Sequence, residues 1–125
     1  MAEMNQIYKC EICGNIVEIL HAGAGQLVCC NQEMELLIAR KEDASTEKHV
    51  PFVSEEEVGT SVQVGEISHP MEAGHYIEWI EIIYDDGKQE RKFLEAGSLP
   101  EANFCHKGKI SKVRAYCNLH GLWQA

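Results

Sequence analysis

Six cysteines and six histidines stand among 125 residues, and most of them fall into two groups spaced for metal binding. The first is Cys10-Glu11-Ile12-Cys13-Gly14, followed further along by the adjacent pair Cys29-Cys30. In a C-x-x-C-G turn two thiolates converge on one side, and the glycine permits the positive φ at which the following N–H groups point at sulfur. Four thiolates suit zinc or a single iron equally well by softness and geometry, so a structural zinc knuckle competes with an iron site for this cluster. Neighbours on an extended chain point to opposite sides, so placing Cys29 and Cys30 on one ion has to bend the backbone.

The second group is spread over three segments: Glu47-Lys48-His49-Val50-Pro51, Ser68-His69-Pro70-Met71-Glu72-Ala73-Gly74-His75-Tyr76 and Tyr116-Cys117-Asn118-Leu119-His120-Gly121. Taken singly, each of these histidines is more often a surface or core residue than a ligand. Their settings argue for taking them together. His49 and His69 sit beside prolines that restrict the local backbone, and Cys117 and His120 form a C-x-x-H turn closed by Gly121. Four imidazoles and one thiolate exceed the usual four ligands of zinc and leave one octahedral position open. An ion with an open position is a site for small-molecule chemistry.

The elements that position these groups read as β throughout. Around the first cluster, Gln6 to Lys9, Ile16 to Leu20 and Gln26 to Val28 are short and β-prone, with Gly23 and Gly25 marking a turn. So small a unit cannot bury enough surface to fold unaided and needs a metal or a partner. Residues 40–48 are polar almost throughout and read as a linker. Beyond it, strands are expected over Ser61 to Ile67, His75 to Tyr84, Gln89 to Leu94, Ala102 to His106 and Lys109 to Cys117, with a hairpin turn at Asp85-Asp86-Gly87. No long segment has a helical period, so this unit is expected to be a small antiparallel sandwich or barrel. Alternation puts Val113, Ala115 and Cys117 on the apolar face of the last strand. It groups His75, Ile77, Trp79 and Ile83 on one face of an earlier strand, with Glu81 as a polar exception. Of the remaining chemistry-bearing residues, Cys105 reads as a buried free thiol, and His106 and His21 as solvated.

The formal net charge of -9 argues against nucleic acid, whose binding needs a basic footprint. The C-terminal segment 101–125 departs from this balance, with one acidic and four basic residues, and would receive an anion better than the rest. No apolar run approaches the length of a membrane span, and the N-terminus lacks a basic start followed by an apolar stretch, so a cytoplasmic protein with reduced thiols is expected.

The four-cysteine unit followed by Glu47-Lys48-His49, His69-Pro70-Met71, His75-Tyr76 and Cys117-Asn118-Leu119-His120-Gly121 resembles the desulfoferrodoxin family, the two-centre class of superoxide reductase, over nearly the whole chain. The resemblance implies an all-β fold: a desulforedoxin-like iron domain (residues 1–37), a linker (38–48), and an immunoglobulin-like antiparallel β-sandwich (49–125). It implies two mononuclear irons, one held by Cys10, Cys13, Cys29 and Cys30. The other would have His49, His69, His75 and His120 as an equatorial plane and Cys117 as axial ligand. The activity implied is one-electron reduction of superoxide to hydrogen peroxide, with electrons from a donor protein such as rubredoxin, in a homodimer. Lys48, one residue from a ligand, would steer superoxide or organise a proton-donating water, and Glu47 would close the open position of the oxidised iron. The rival reading is a non-catalytic iron protein for electron transfer or metal storage. A zinc-stabilised sandwich that binds a partner protein is a third.

Overall fold

The computed structural model describes residues 2–41, 49–56, 59–65, 69–105 and 108–125, and every regular element among them is a β-strand. The chain divides into two compact units, Met1–Ile38 and Ala39–Ala125.

In the first unit, β1 (Ile7–Lys9) is the centre of an antiparallel sheet, flanked by β2 (Ile16–Glu18) and β5 (Glu35–Leu37), while β3 (Val28–Cys29) and β4 (Gln32–Glu33) form a separate hairpin. The sequence signals located the first three strands to within two residues. β4 and β5 escaped them because Gln32, Glu33 and Glu35 carry no β-prone side chain, and backbone pairing alone makes the strands. The buried apolar side chains of this unit are Ile7, Cys10 and Ile19. One of these is itself a thiol of the first cluster, so its core and its ligand set are continuous.

The second unit is a sandwich of two antiparallel sheets. One is ordered β10-β7-β6, from β6 (Pro51–Glu56), β7 (Gly59–Val64) and β10 (Glu101–Phe104). The other is ordered β12-β11-β8-β9, from β8 (Ile77–Tyr84), β9 (Gln89–Phe93), β11 (Ile110–Cys117) and β12 (Gly121–Gln124). The expected turn joins β8 to β9, where Gly87 has φ +89° and its N–H donates to the Tyr84 carbonyl. Two of the edge strands, β6 and β12, went unread. A proline opens β6, which an edge strand tolerates because its outer N–H groups need no partner. The four residues of β12 directly follow the last ligand motif.

The core lies between the sheets: Val62, Val64, Ile80, Ile82, Tyr84, Ala102, Phe104, Val113, Ala115 and Cys117, with Ile77 at one end. Each of the larger aliphatic side chains contributes roughly 1.5–3 kcal/mol on burial. Here the structure corrects the expected alternation of β8. Ile80, Ile82 and Tyr84 face the core, whereas Trp79, Glu81 and Ile83 face away from it. Tyr116 pairs with Trp79 but the next residue, Cys117, pairs with Ile77, so Glu78 is an extra residue in the ladder. This β-bulge flips the phase, bringing Ile77 and Cys117 onto the core side together. Glu81 is thus no exception in an apolar row; it lies on the outer face, fully buried under Arg114 and Arg91, at 2.6 Å from each. Cys105 is exposed rather than buried, because Ala102 and Phe104 take the inward positions of β10 and the strand ends before it.

Antiparallel connectivity gathers the second ligand group at one end of the sandwich. His49 precedes β6, His69 follows β7, His75 precedes β8, Cys117 ends β11 and His120 precedes β12. Pairing of Pro51 with Val64 and of Cys117 with Ile77 makes these strand ends neighbours within their sheets.

Candidate metal centres

In the first unit, the Sγ atoms of Cys10, Cys13, Cys29 and Cys30 all lie within 4.8 Å of one another. The turn is built as its sequence requires: Gly14 has φ +84°, its N–H donates to the Cys10 carbonyl, and the Cys13 N–H points at the Cys10 sulfur at 3.5 Å. The bend expected at the adjacent pair is also present. Cys30 and Asn31 adopt φ of 55° and 60°, a left-handed conformation uncommon for side chains larger than glycine. Cys13 and Cys29 sulfurs are 3.5 Å apart, and those of Cys29 and Cys30 are 4.0 Å apart. Thiolates about 2.3 Å from a tetrahedral centre lie about 3.8 Å apart, so the observed separations bracket what one ion needs.

Acid–base chemistry points the same way. The Cys13 N–H holds the Cys10 thiol down, to about 7. Crowding by the Cys13, Cys29 and Cys10 thiols pushes Cys30 up to about 12, and Cys29 is raised chiefly by Cys13. Four thiols so close cannot all ionise in the absence of a compensating cation, and a metal ion that displaces their protons removes the conflict.

In the second unit, the candidate donor atoms of His49, His69, His75, Cys117 and His120 likewise all lie within 4.8 Å of one another. The four imidazoles form a closed ring. His49 meets His69 (centroids 4.5 Å apart), His69 meets His75 (4.9 Å), His75 meets His120 (5.0 Å) and His120 meets His49 (4.9 Å), each pair edge to face at 61–87°. Imidazoles packed for their own sake need not close such a cycle; four nitrogens directed at one point must. His49 Nε2 and His120 Nδ1 are 3.1 Å apart, close to the roughly 3.0 Å between two nitrogens about 2.1 Å from one ion and at right angles. His69 Nδ1 lies 2.7 Å from the Pro70 carbonyl, which fixes its tautomer and leaves Nε2 for the centre. Cys117 Sγ, fully buried in the apolar core, is 3.9 Å from His120 Nδ1. The chemistry of the set, one soft anionic donor and four borderline imidazoles, fits a first-row transition ion. His49 and His69 are buried, His75 is half-buried and His120 exposed, so solvent reaches the group from the side of the last two.

Supporting residues escaped the sequence reading. Trp123 stacks on His49, and the exposed Arg40 lies over the indole at 5.4 Å. Trp123 pairs with the core-facing Ala115, a signal available only once β12 is recognised. Asn118 hydrogen-bonds to the segment carrying His75. Its position between Cys117 and His120 was the only hint. His21 is exposed, as expected. Glu47, Lys48 and His106 lie outside the described residues.

Comparison with known proteins agrees with this architecture. Residues 2–37 match the family model of the desulfoferrodoxin N-terminal domain and residues 41–125 match that of desulfoferrodoxin. A desulfoferrodoxin homolog of Methanothermobacter thermautotrophicus is 56% identical over 124 residues, covering 98% of this chain and 99% of that protein. A superoxide reductase of Pyrococcus horikoshii is 33% identical over 104 residues, covering 68% of this chain and 90% of that one. Among solved structures, the superoxide reductase from Treponema pallidum superposes with a TM-score of 0.80 at 25% identity, covering 96% of each chain. With both family models matched in order and both ligand groups assembled, the chain belongs to the desulfoferrodoxin family.

Proposed function

We infer that this protein is a superoxide reductase, reducing superoxide by one electron and two protons to hydrogen peroxide, with His49, His69, His75, His120 and Cys117 as the ligands of the reacting iron. The observation that carries this reading is the convergence of four imidazoles and one thiolate on a single point, in a fold similar to that of the Treponema superoxide reductase. His49, His69, His75, His120 and Cys117 would hold a ferrous ion, which would supply the electron, and five protein donors would leave room beside it for the substrate anion. The donor set itself favours an anion: with neutral imidazoles and one thiolate, a divalent ion retains a net charge of about +1. Cys117 is fully buried in the apolar core, which protects a soft, oxidisable thiolate. Both protons come from the solvent side, where His120 and His75 are accessible.

Cys10, Cys13, Cys29 and Cys30 hold the other iron, in the first unit and remote in sequence from the reacting one. For Lys48 and Glu47 the proposal rests on sequence alone: a cation next to a ligand would attract superoxide, and a carboxylate one residue further would close the site once it is oxidised. Electrons come from a donor protein, with rubredoxin the candidate by family resemblance. A homodimer is supported by the small core of the first unit and its exposed Ile12, Leu20 and Val28. Six cysteines, none of them in a disulfide, support a reducing, cytoplasmic setting.

The test is to load the protein with two irons, reduce it chemically and mix it with pulse-generated superoxide. One hydrogen peroxide per superoxide consumed, with no dioxygen beyond the uncatalysed background, supports the reductase. Dioxygen released at half the superoxide consumed would indicate dismutation. A reduced site that ignores superoxide would leave electron transfer or metal storage.

A further inference from the structure

Cys117 and His120 are delivered by the loop between β11 and β12, whereas His75 comes from a separate turn ahead of β8. That turn is closed on itself: the Glu72 N–H donates to the His75 carbonyl at 2.9 Å and the His75 N–H donates to the Glu72 carbonyl at 3.1 Å. Self-closure fixes its shape but not its place relative to the other ligands. Pairing of Ile77 with Cys117 brings the turn alongside, and Asn118 ties it down on both sides of His75. Its Oδ1 accepts the Tyr76 N–H at 3.0 Å, its Nδ2 donates to the Gly74 carbonyl at 3.1 Å, and its own backbone N–H donates to the Tyr76 carbonyl at 3.2 Å. The residues immediately before and after His75 are therefore both held by one side chain, which itself stands between two other ligands.

We propose that Asn118 is a positioning residue that sets the placement of the His75 imidazole against Cys117 and His120. The chemistry of the contact explains why an amide is needed. One group must accept from an N–H and another must donate to a carbonyl, in fixed order along the chain, and an amide has one of each. A carboxylate in the same place keeps the bond to the Tyr76 N–H but turns an oxygen toward the Gly74 carbonyl. A leucine satisfies neither. The hydrogen bonds of Asn118 all run to the backbone on either side of His75 and none to a ligand ring, so its effect on the site is expected through the placement of His75.

The proposal rests on His75 being a ligand, and the experiment separates the two. Cobalt(II) binding to the metal-free second site is titrated by its visible bands in wild type, Asn118→Leu, Asn118→Asp, His75→Ala and the His75→Ala/Asn118→Leu pair, with urea unfolding measured alongside. Loss of an outer partner of a metal ligand typically costs about 10–100-fold in affinity, and Asn118→Leu is expected in that range, with Asn118→Asp between it and wild type. In the His75→Ala background, Asn118→Leu is expected to add less than about twofold, since the imidazole it positions is gone. The ferric form of Asn118→Leu is expected to show a shifted thiolate-to-iron band. Wild-type cobalt affinity and an unshifted band in Asn118→Leu overturn the proposal, even if urea stability has fallen, because that pattern marks a general clamp. An equal loss with and without His75 overturns it too. Should Asn118→Leu fail to fold, Asn118→Asp carries the test: wild-type affinity and band there overturn the proposal, and a partial loss that disappears without His75 supports it. If His75→Ala itself leaves cobalt binding unchanged, the ligand assignment fails and the proposal falls with it, a result distinct from failure of Asn118 alone.

Discussion

Trp123 lies flat against His49, with ring centroids 4.5 Å apart and planes inclined by only 13°. The indole is buried, and with His49 held against it on one side the imidazole has little freedom to tilt. The contact also makes the tryptophan a reporter. Binding of iron(II) at the second site, followed by oxidation, is expected to quench Trp123 fluorescence, since the acceptor lies one ring away. The sequence has two tryptophans, so Trp79→Phe should keep the metal-dependent quenching and Trp123→Phe should remove most of it. Equal quenching in both variants would sink this assignment.

Cys117→Ser is expected to abolish superoxide reduction while leaving the colour of the four-cysteine centre intact, because the two donor sets share no residue. A hydroxyl is a poor replacement for a soft thiolate. Conversely, Cys13→Ser should bleach the first centre and loosen the first unit, while the chemically reduced second site still reacts with superoxide at close to the wild-type rate. Visible spectra and stopped-flow mixing read both outcomes.

If Lys48 steers the substrate, Lys48→Ile should slow the reaction with superoxide several-fold at unchanged iron content. The chain carries a net charge of -9, so a local cation works against a repulsive background. Salt that shortens the Debye length from about 10 Å at 0.1 M to about 3 Å at 1 M should lower the wild-type rate and lower that of the variant less. Identical salt slopes would leave proton delivery as the role to examine, through the pH dependence of the later steps.

Glu81 pairs with both Arg114 and Arg91 in this outer-face cluster, and Arg91 also lies over the Trp79 ring at 4.7 Å. Replacing Glu81 with Gln removes the carboxylate charge 2.6 Å from the buried Arg114 guanidinium. The expected cost is about 3 kcal/mol in unfolding free energy, since removal of one member of a buried pair strands the other. A urea midpoint within error of wild type would show that the cluster relaxes to water.

Burial, and then the carboxylate of Glu90 beside it, push the Tyr84 phenol up to about 12. The unfolded chain releases this proton near pH 10, before the folded one does, so the folded state binds more protons in between and stability falls as pH rises through that window. Tyr84→Phe should therefore show a shallower loss of stability between pH 10 and 12 than wild type. Parallel curves would remove Tyr84 from the alkaline transition.

Much of the chemistry was legible in the residues alone. Both candidate metal-binding groups are marked by local signals, the C-x-x-C-G and C-x-x-H-G turns and the histidines beside proline, because metal binding restricts backbone and donor type within a few residues. Strand alternation was legible where it ran unbroken, as in Val113, Ala115 and Cys117. It failed in β8, because a bulge at Glu78 depends on pairing with β11 and has no signature of its own. The edge strands β6 and β12 were hidden for the same reason, since their ladders rather than their side chains define them. Only tertiary structure could close four imidazoles from separate segments into one ring, lay Trp123 on His49 and set Asn118 on both sides of His75. These are contacts between residues far apart in the chain, decided by which strand ends the antiparallel sheets bring together, and no local pattern encodes them.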